Sequence, residues 1–277
     1  KSKRKRGFDI SKKTLFFLER TGSIILEKMY RIGLSFLMLL EAIYCFRYAF
    51  SKRNINDTLS HLYMVGIKSL LVISVVALFT GMILALQTGL ELQRYGQQNL
   101  IGSAVAVSVI REMGPFMTGL IITASVGSSI AAQLGTMTVS DEVNALEIMG
   151  INTKRYLVMP RIFSLTIMTP FITLYTNILA IMGGALVGYT QLNVEFTSYF
   201  QNALNFTDIK DLYVGLFKAI VFGLIIGTVA CHQGFSAKNG ASGVGRVTRR
   251  AVIISFLLIL IIGYIIINTH EAYMLTN

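Results

Sequence analysis

Five stretches of this chain contain no Asp, Glu, Lys or Arg, and their lengths leave few folds open. They run from Ser69 to Leu90 (22 residues), Met113 to Ser140 (28), Ile162 to Val194 (33), Ala219 to Ala237 (19) and Ala251 to His270 (20). Crossing a hydrocarbon layer about 30 Å thick takes roughly 20 residues of helix, and a charge at its centre costs at least ~2.5 kcal/mol. Each stretch therefore reads as one transmembrane helix. Hydrophobic residues make up 53% of the chain and charged ones 14%, with a mean hydropathy of +0.63, which excludes a soluble domain. The net charge of +11 would form one basic face in a nucleic-acid binder. Here the charges crowd between apolar blocks, and no nucleic-acid partner is expected.

The expected fold is an all-α integral membrane protein. Residues 1–62 form an N-terminal region on the cytoplasmic side. Residues 63–277 form the transmembrane domain, with spans at about 66–92, 100–136, 155–190, 212–236 and 248–270 and a short helix at 139–150. The 33-residue window carries Gly183, Gly184 and Gly188 near its far end. One long tilted helix and a span followed by a re-entrant piece both fit it.

Basic residues set the orientation, because short cytoplasmic loops carry the excess of Lys and Arg. Segments 1–68, 141–161 and 238–250 hold 21 of them, against 4 in segments 91–112 and 195–218. The N-terminus is expected in the cytoplasm and the C-terminus outside. The basic start is followed by Asp9, Lys12, Lys13, Glu19 and Arg20 rather than an apolar run, so it does not read as a secretory signal. Leu15, Leu18, Ile25, Met29, Ile32, Phe36, Leu39, Ile43, Phe46 and Phe50 recur at steps of three and four or their sums. That stripe favours an amphipathic helix lying in the membrane interface, with a coiled-coil strand or a sixth span as alternatives.

No catalytic set is present: the chain lacks HExxH, GxSxG and the phosphate loop GxxxxGK[ST]. Cys45 and Cys231 are isolated, so neither a disulfide framework nor a metal site is suggested. The glycines of 240–245 lack nucleotide-loop spacing and read as a tight connection. Gly127, Ala131 and Gly135 repeat every fourth residue, as do Ser128, Ala132 and Thr136, and Gly223 with Gly227 adds another small pair. Such stripes serve either a subunit interface or packing within one chain.

Two groups of charged residues stand out. The segment from Ser140 to Gly150 offers Ser140 as an N-cap, Asp141 and Glu142 in the first turn and Gly150 as a stop. Val143, Leu146 and Met149, set among Asp141, Glu142 and Glu147, suit either a helix docked in a groove of a cytoplasmic partner or a solvated connector. Arg111 and Glu112 lie between uncharged stretches, and Lys218 sits inside an apolar run. Charges placed so deep must face protein or water, unless Lys218 snorkels to the interface.

The runs REMGPFMTGLIITASVGSSIAAQLGTM (Arg111 to Met137), DEVNALEIMGI (Asp141 to Ile151), YLVMPR (Tyr156 to Arg161) and CHQGFSAKNGASGVGRVTRRAV (Cys231 to Val252) resemble the signatures of the MlaE/YrbE permeases of ABC-type lipid transporters. The resemblance covers nearly the whole chain. It implies a homodimeric permease of the bacterial inner membrane that moves phospholipid or a similar lipid. Its implied partners are two copies of a separate cytoplasmic ABC ATPase, a periplasmic MCE-domain carrier and, in some arrangements, a small accessory cytoplasmic subunit. ATP would be bound by the ATPase, so the chain itself needs no cofactor and is not an enzyme. By resemblance, Asp141, Glu142, Val143, Leu146, Glu147 and Met149 form the coupling helix, and Arg111, Glu112 and Lys218 surround the lipid cavity, where cations would meet a phosphate. Ser125 and Gln133 stand where members commonly carry Arg and Glu, so no role of that pair is carried over. A sterol or hydrophobic-nutrient importer of the same family is the alternative within the class. A non-ABC scaffold or channel, or more weakly a lipid-modifying enzyme, is the rival outside it.

Overall fold

The computed structural model describes residues 55–276, and every regular element among them is a helix. The stretch expected to form the N-terminal amphipathic helix lies outside the described residues. Helix α1 spans Ile55–Arg94. It is followed by α2 (Gln98–Val139), the short α3 (Glu142–Ile148), α4 (Lys154–Leu192), α5 (Phe196–Phe206), α6 (Ile209–Phe235) and α7 (Gly240–Thr276). Helices α1, α2, α4, α6 and α7 are each long and apolar enough to cross a membrane. The chain is a multi-pass membrane protein. The connections place α3 and the α6–α7 turn at one end of the bundle and α5 at the other.

Helices α1 and α7 run past both ends of the uncharged windows that marked them, and α2, α4 and α6 run past the N-terminal end only. Helix α4 settles the alternatives for the 33-residue window. It is one unbroken helix of 39 residues, about 58 Å long. Its glycines make a helix crossing: a side chain at Gly183 would strike the Leu78 carbonyl of α1, and one at Gly81 would strike that of Ala180. Hydroxyls along the buried face of α4 bond back to their own helix. Ser164 Oγ donates to Pro160 O at 2.7 Å, Thr169 Oγ1 to Leu165 O at 2.6 Å and Thr173 Oγ1 to Thr169 O at 2.9 Å. Polar side chains are thereby satisfied where no water is at hand.

The larger core lies between α4, α6, α7 and the second half of α2, around Ile130, Leu134, Leu165, Phe222 and Ile226. A smaller one surrounds Tyr199 at the α5 end. Helix α5 was not foreseen. Its period was present in Phe196, Tyr199, Phe200, Ala203 and Leu204, but a charge-free window longer than a span does not register an 11-residue helix. Tyr199 and Ala203 are buried, whereas Phe196, Phe200 and Leu204 are exposed. Burial pushes the Tyr199 phenol above its ordinary pKa.

The small-residue stripes of α2 divide. A Cβ at Gly127 would touch Ile226 of α6, and one at Gly135 would touch Ala237, Val244 and Val247, while Ala131 is wholly buried. Gly223 and Gly227 likewise pack against α4. This stripe serves packing within the chain. The parallel stripe of Ala124, Ser128, Ala132 and Thr136 stays on the open side of α2, fully or partly exposed.

Candidate functional site: a charge cluster beside an apolar cavity

Helix α2 widens at Val109–Met113 into a π-turn, in which the Gly114 N–H reaches back to the Val109 carbonyl. The next residue is Pro115, which has no N–H. It lies five residues after Ile110 and four after Arg111, so neither carbonyl can be served from that position in π or α register. Helix α6 approaches both. Gly215 lies so close to the Ile110 carbonyl that a Cβ there would overlap it. One turn further, Lys218 Nζ donates to Arg111 O at 3.0 Å. Placing an ammonium against a freed carbonyl suits a medium that offers no water.

Lys218 is only 2% exposed in its side chain, and Nζ also meets Glu112 Oε1 at 2.6 Å. It does not snorkel: its charge is neutralised inside the bundle. Arg111 Nε lies 3.3 Å from Asp211 Oδ1 on α6, and its Nη2 lies 3.5 Å from His270 Nδ1 on α7. Two cations and two carboxylates from α2 and α6 thus balance one another at the α5-side half of the bundle. Asp211 and His270 were missed in the sequence. Asp211 read as part of a loop and His270 as the end of a span, and only the tertiary fold brings them to Arg111.

Next to this cluster opens a cavity of about 250 Å³. Glu112 and Lys218 form its polar edge, and Phe116, Phe222, Ile259 and Tyr264 form part of its apolar wall. Of the three cavity residues expected from the sequence, Glu112 and Lys218 line it, and Arg111 stands behind them in the same network. The cations expected to await a phosphate are each already engaged by a carboxylate of this chain.

At the opposite end, Glu142–Ile148 is helical as expected, but its N-cap differs. Ser140 is not the N-cap. Its N–H donates to Thr136 O at 2.9 Å, which closes α2, and its Oγ donates to Glu142 Oε1 at 2.9 Å. Asp141 takes the N-cap place with a left-handed φ of 60°. Gly150, at φ 73°, ends the helix: its N–H donates to Glu147 O, and that of Ile151 donates to Leu146 O, both at 3.0 Å. The expected docking face is split. Val143 is buried in the chain's own core and Leu146 packs against that core. Met149 is 65% exposed, and the neighbouring Ile148, absent from the expected set, is 87% exposed. Asp141, Glu142 and Glu147 are exposed, with Thr153 Oγ1 donating to Glu147 Oε1 at 3.0 Å. Lys154, Arg155, Lys238, Arg246, Arg249 and Arg250 are all exposed at this same end.

The sequence model of the MlaE permease matches residues 58–268, which reaches into all five spans and includes Arg111, Glu112, Asp211 and Lys218. The chain belongs to the MlaE permease family. A probable ABC transporter permease protein of Rickettsia typhi is 40% identical over 205 residues, covering 74% of this chain and 79% of that protein. One from Synechocystis is 34% identical over 211 residues, covering 76% and 80%. The intermembrane phospholipid transport system permease protein MlaE of Haemophilus influenzae is 29% identical over 208 residues, covering 74% and 79%.

Proposed function

We propose that this MlaE-family chain is the permease subunit of an ABC transporter that moves phospholipid between the inner membrane and a periplasmic MCE-type carrier. The observation that carries the reading is the apolar cavity of about 250 Å³ with an ionic edge, set among membrane helices. A cavity of that make-up accepts acyl chain along its walls and a polar group at its rim. The name of the Haemophilus influenzae relative supports phospholipid as the cargo.

The working form would be a homodimer carrying two copies of a separate ATPase, with the open small-residue face of α2 as the contact between permease copies. The exposed basic residues support a cytoplasmic α3 end, where Ile148 and Met149 would present apolar surface among acids to the ATPase. Binding and hydrolysis of ATP would occur on that partner, and closure of the dimer would empty the cavity.

The test is co-purification from membranes with the ATPase co-expressed, followed by mass spectrometry of bound lipid. Wild-type protein should carry phospholipid and ATPase together. Changing Ile148 and Met149 together to Lys should detach the ATPase and leave the lipid in place. Phospholipid no more abundant than on an unrelated multi-pass protein would end the proposal.

A further inference from the structure

The Glu112–Lys218 pair is not symmetric toward the cavity. The Lys218 side chain is 2% exposed, with its ammonium turned to the Arg111 carbonyl, whereas the Glu112 side chain is 38% exposed. Both residues line the cavity, but the pair exposes its negative end far more than its positive end. An ionised carboxylate only accepts hydrogen bonds, so what this rim offers a ligand is an acceptor carrying negative charge. The other cation of the cluster, Arg111, is held by Asp211 and does not line the cavity. Tyr264 and Phe116 also line the cavity, and aromatic faces attract cations and not anions.

We infer that the cavity selects lipids whose head group carries an ammonium, the zwitterionic phospholipids, over anionic ones of the same chain length. The inference rests on the lipid-cavity reading above and adds the head-group class to it. A head-group ammonium would reach Glu112 and complete the coordination of its carboxylate. The phosphate would stay further out toward water, because deeper entry brings like charges together in a medium that screens them poorly.

Two substitutions move the preference in opposite directions. Glu112→Gln keeps an acceptor for Lys218 but removes the carboxylate of the pair, so the rim shifts from negative toward positive. Lys218→Gln leaves the carboxylate uncompensated, so the rim becomes more negative. The double variant with both changes is neutral and removes the preference. It also serves if either single change prevents folding, since no lone charge is then left inside.

Purified wild-type protein would be exchanged against micelles containing equal amounts of ethanolamine, choline and glycerol phospholipids with identical acyl chains. Retained lipid is then counted by mass spectrometry. The ethanolamine lipid should exceed the glycerol lipid by roughly five-fold, a value below that of a fully buried charge-assisted bond because Glu112 is partly open. Choline retained equally with ethanolamine would support recognition by charge and π faces, and choline left behind would support N–H donation to Glu112. The order should invert in Glu112→Gln, steepen in Lys218→Gln and level in the double variant. Equal retention of all three by the wild type, or enrichment of the glycerol lipid, would overturn the inference while leaving the lipid cavity standing. Retention of none would overturn both.

Discussion

Helix α2 carries two π-turns, Val109–Met113 and Thr123–Gly127, and they are built in opposite ways. At the second, the helix satisfies itself. Thr123 Oγ1 donates to Gly119 O and Ser125 Oγ to Ile121 O, both at 2.7 Å, and Ser128 Oγ donates to Ser125 O at 3.1 Å. At the first, Pro115 withholds a donor and another helix supplies it through Lys218. The self-contained turn carries no charge and leaves Ala124 and Ser125 exposed. The dependent one draws in Lys218, Glu112, Arg111 and Asp211 and acquires a cavity. A widened turn in a membrane helix thus becomes an ionic site when its own side chains cannot satisfy its carbonyls. Where hydroxyls do so, the same backbone leaves a bare face for a neighbour.

The contrast can be attacked at three points. The heaviest blow is Gly215→Leu, since the new side chain would run into the Ile110 carbonyl and push α6 away from α2. Loss of the Lys218 contacts then strands buried charge at a cost of about 3 to 5 kcal/mol. We expect the variant to fail to yield a monodisperse species on size exclusion, and a normal elution profile would mean the two helices are not so tightly joined.

Pro115→Ala is milder and has the opposite sign. It restores an N–H beneath the freed carbonyls and removes a poor helix residue, so thermal stability should rise by roughly 1 to 2 kcal/mol. A lower melting temperature would show that Pro115 matters more for packing beside Gly215 than for the donor it lacks.

The smallest effect belongs to the second turn. Ser125→Leu on the exposed face should alter the stability of a single chain by no more than about 0.5 kcal/mol. Native mass spectrometry should nevertheless show a smaller share of dimer, because a bulky residue holds two helices apart. A large drop in single-chain stability would contradict the self-contained picture.

These differences also mark how far the sequence could be read. The spans were legible because a charge in hydrocarbon costs enough to leave a blank in the sequence, and Arg111, Glu112 and Lys218 were legible as exceptions to those blanks. Their partners were not. Asp211 and His270 lie about one hundred or more positions from Arg111, at helix ends where charge is unremarked, so only the packing of α6 and α7 against α2 reveals them. Arg161, buried at the α3-side end of α4 and donating from Nη1 to Leu157 O at 2.7 Å, escaped because it merely bounded a window. The segment 142–148 was legible as a helix with Gly150 as its stop. Its facing was not, because which of Val143, Leu146, Ile148 and Met149 turns inward depends on the core it meets.

The two π-turns also have a mechanical meaning. Over 42 residues α2 would measure about 63 Å, and backbone hydrogen bonds are poorest and helices bend most readily at such turns. The rod is therefore three stiff struts, ending at Ser108, Ile122 and Val139, joined by two compliant hinges. Helix α3 is tied to the last strut by Ser140 and by Val143 in the core, so a load at Ile148 would pass directly into α2. Compliance concentrated at 123–127 would turn such a load into a swing of the middle strut. Its first turn carries Phe116, so a swing of that strut would move one aromatic residue of the cavity lining.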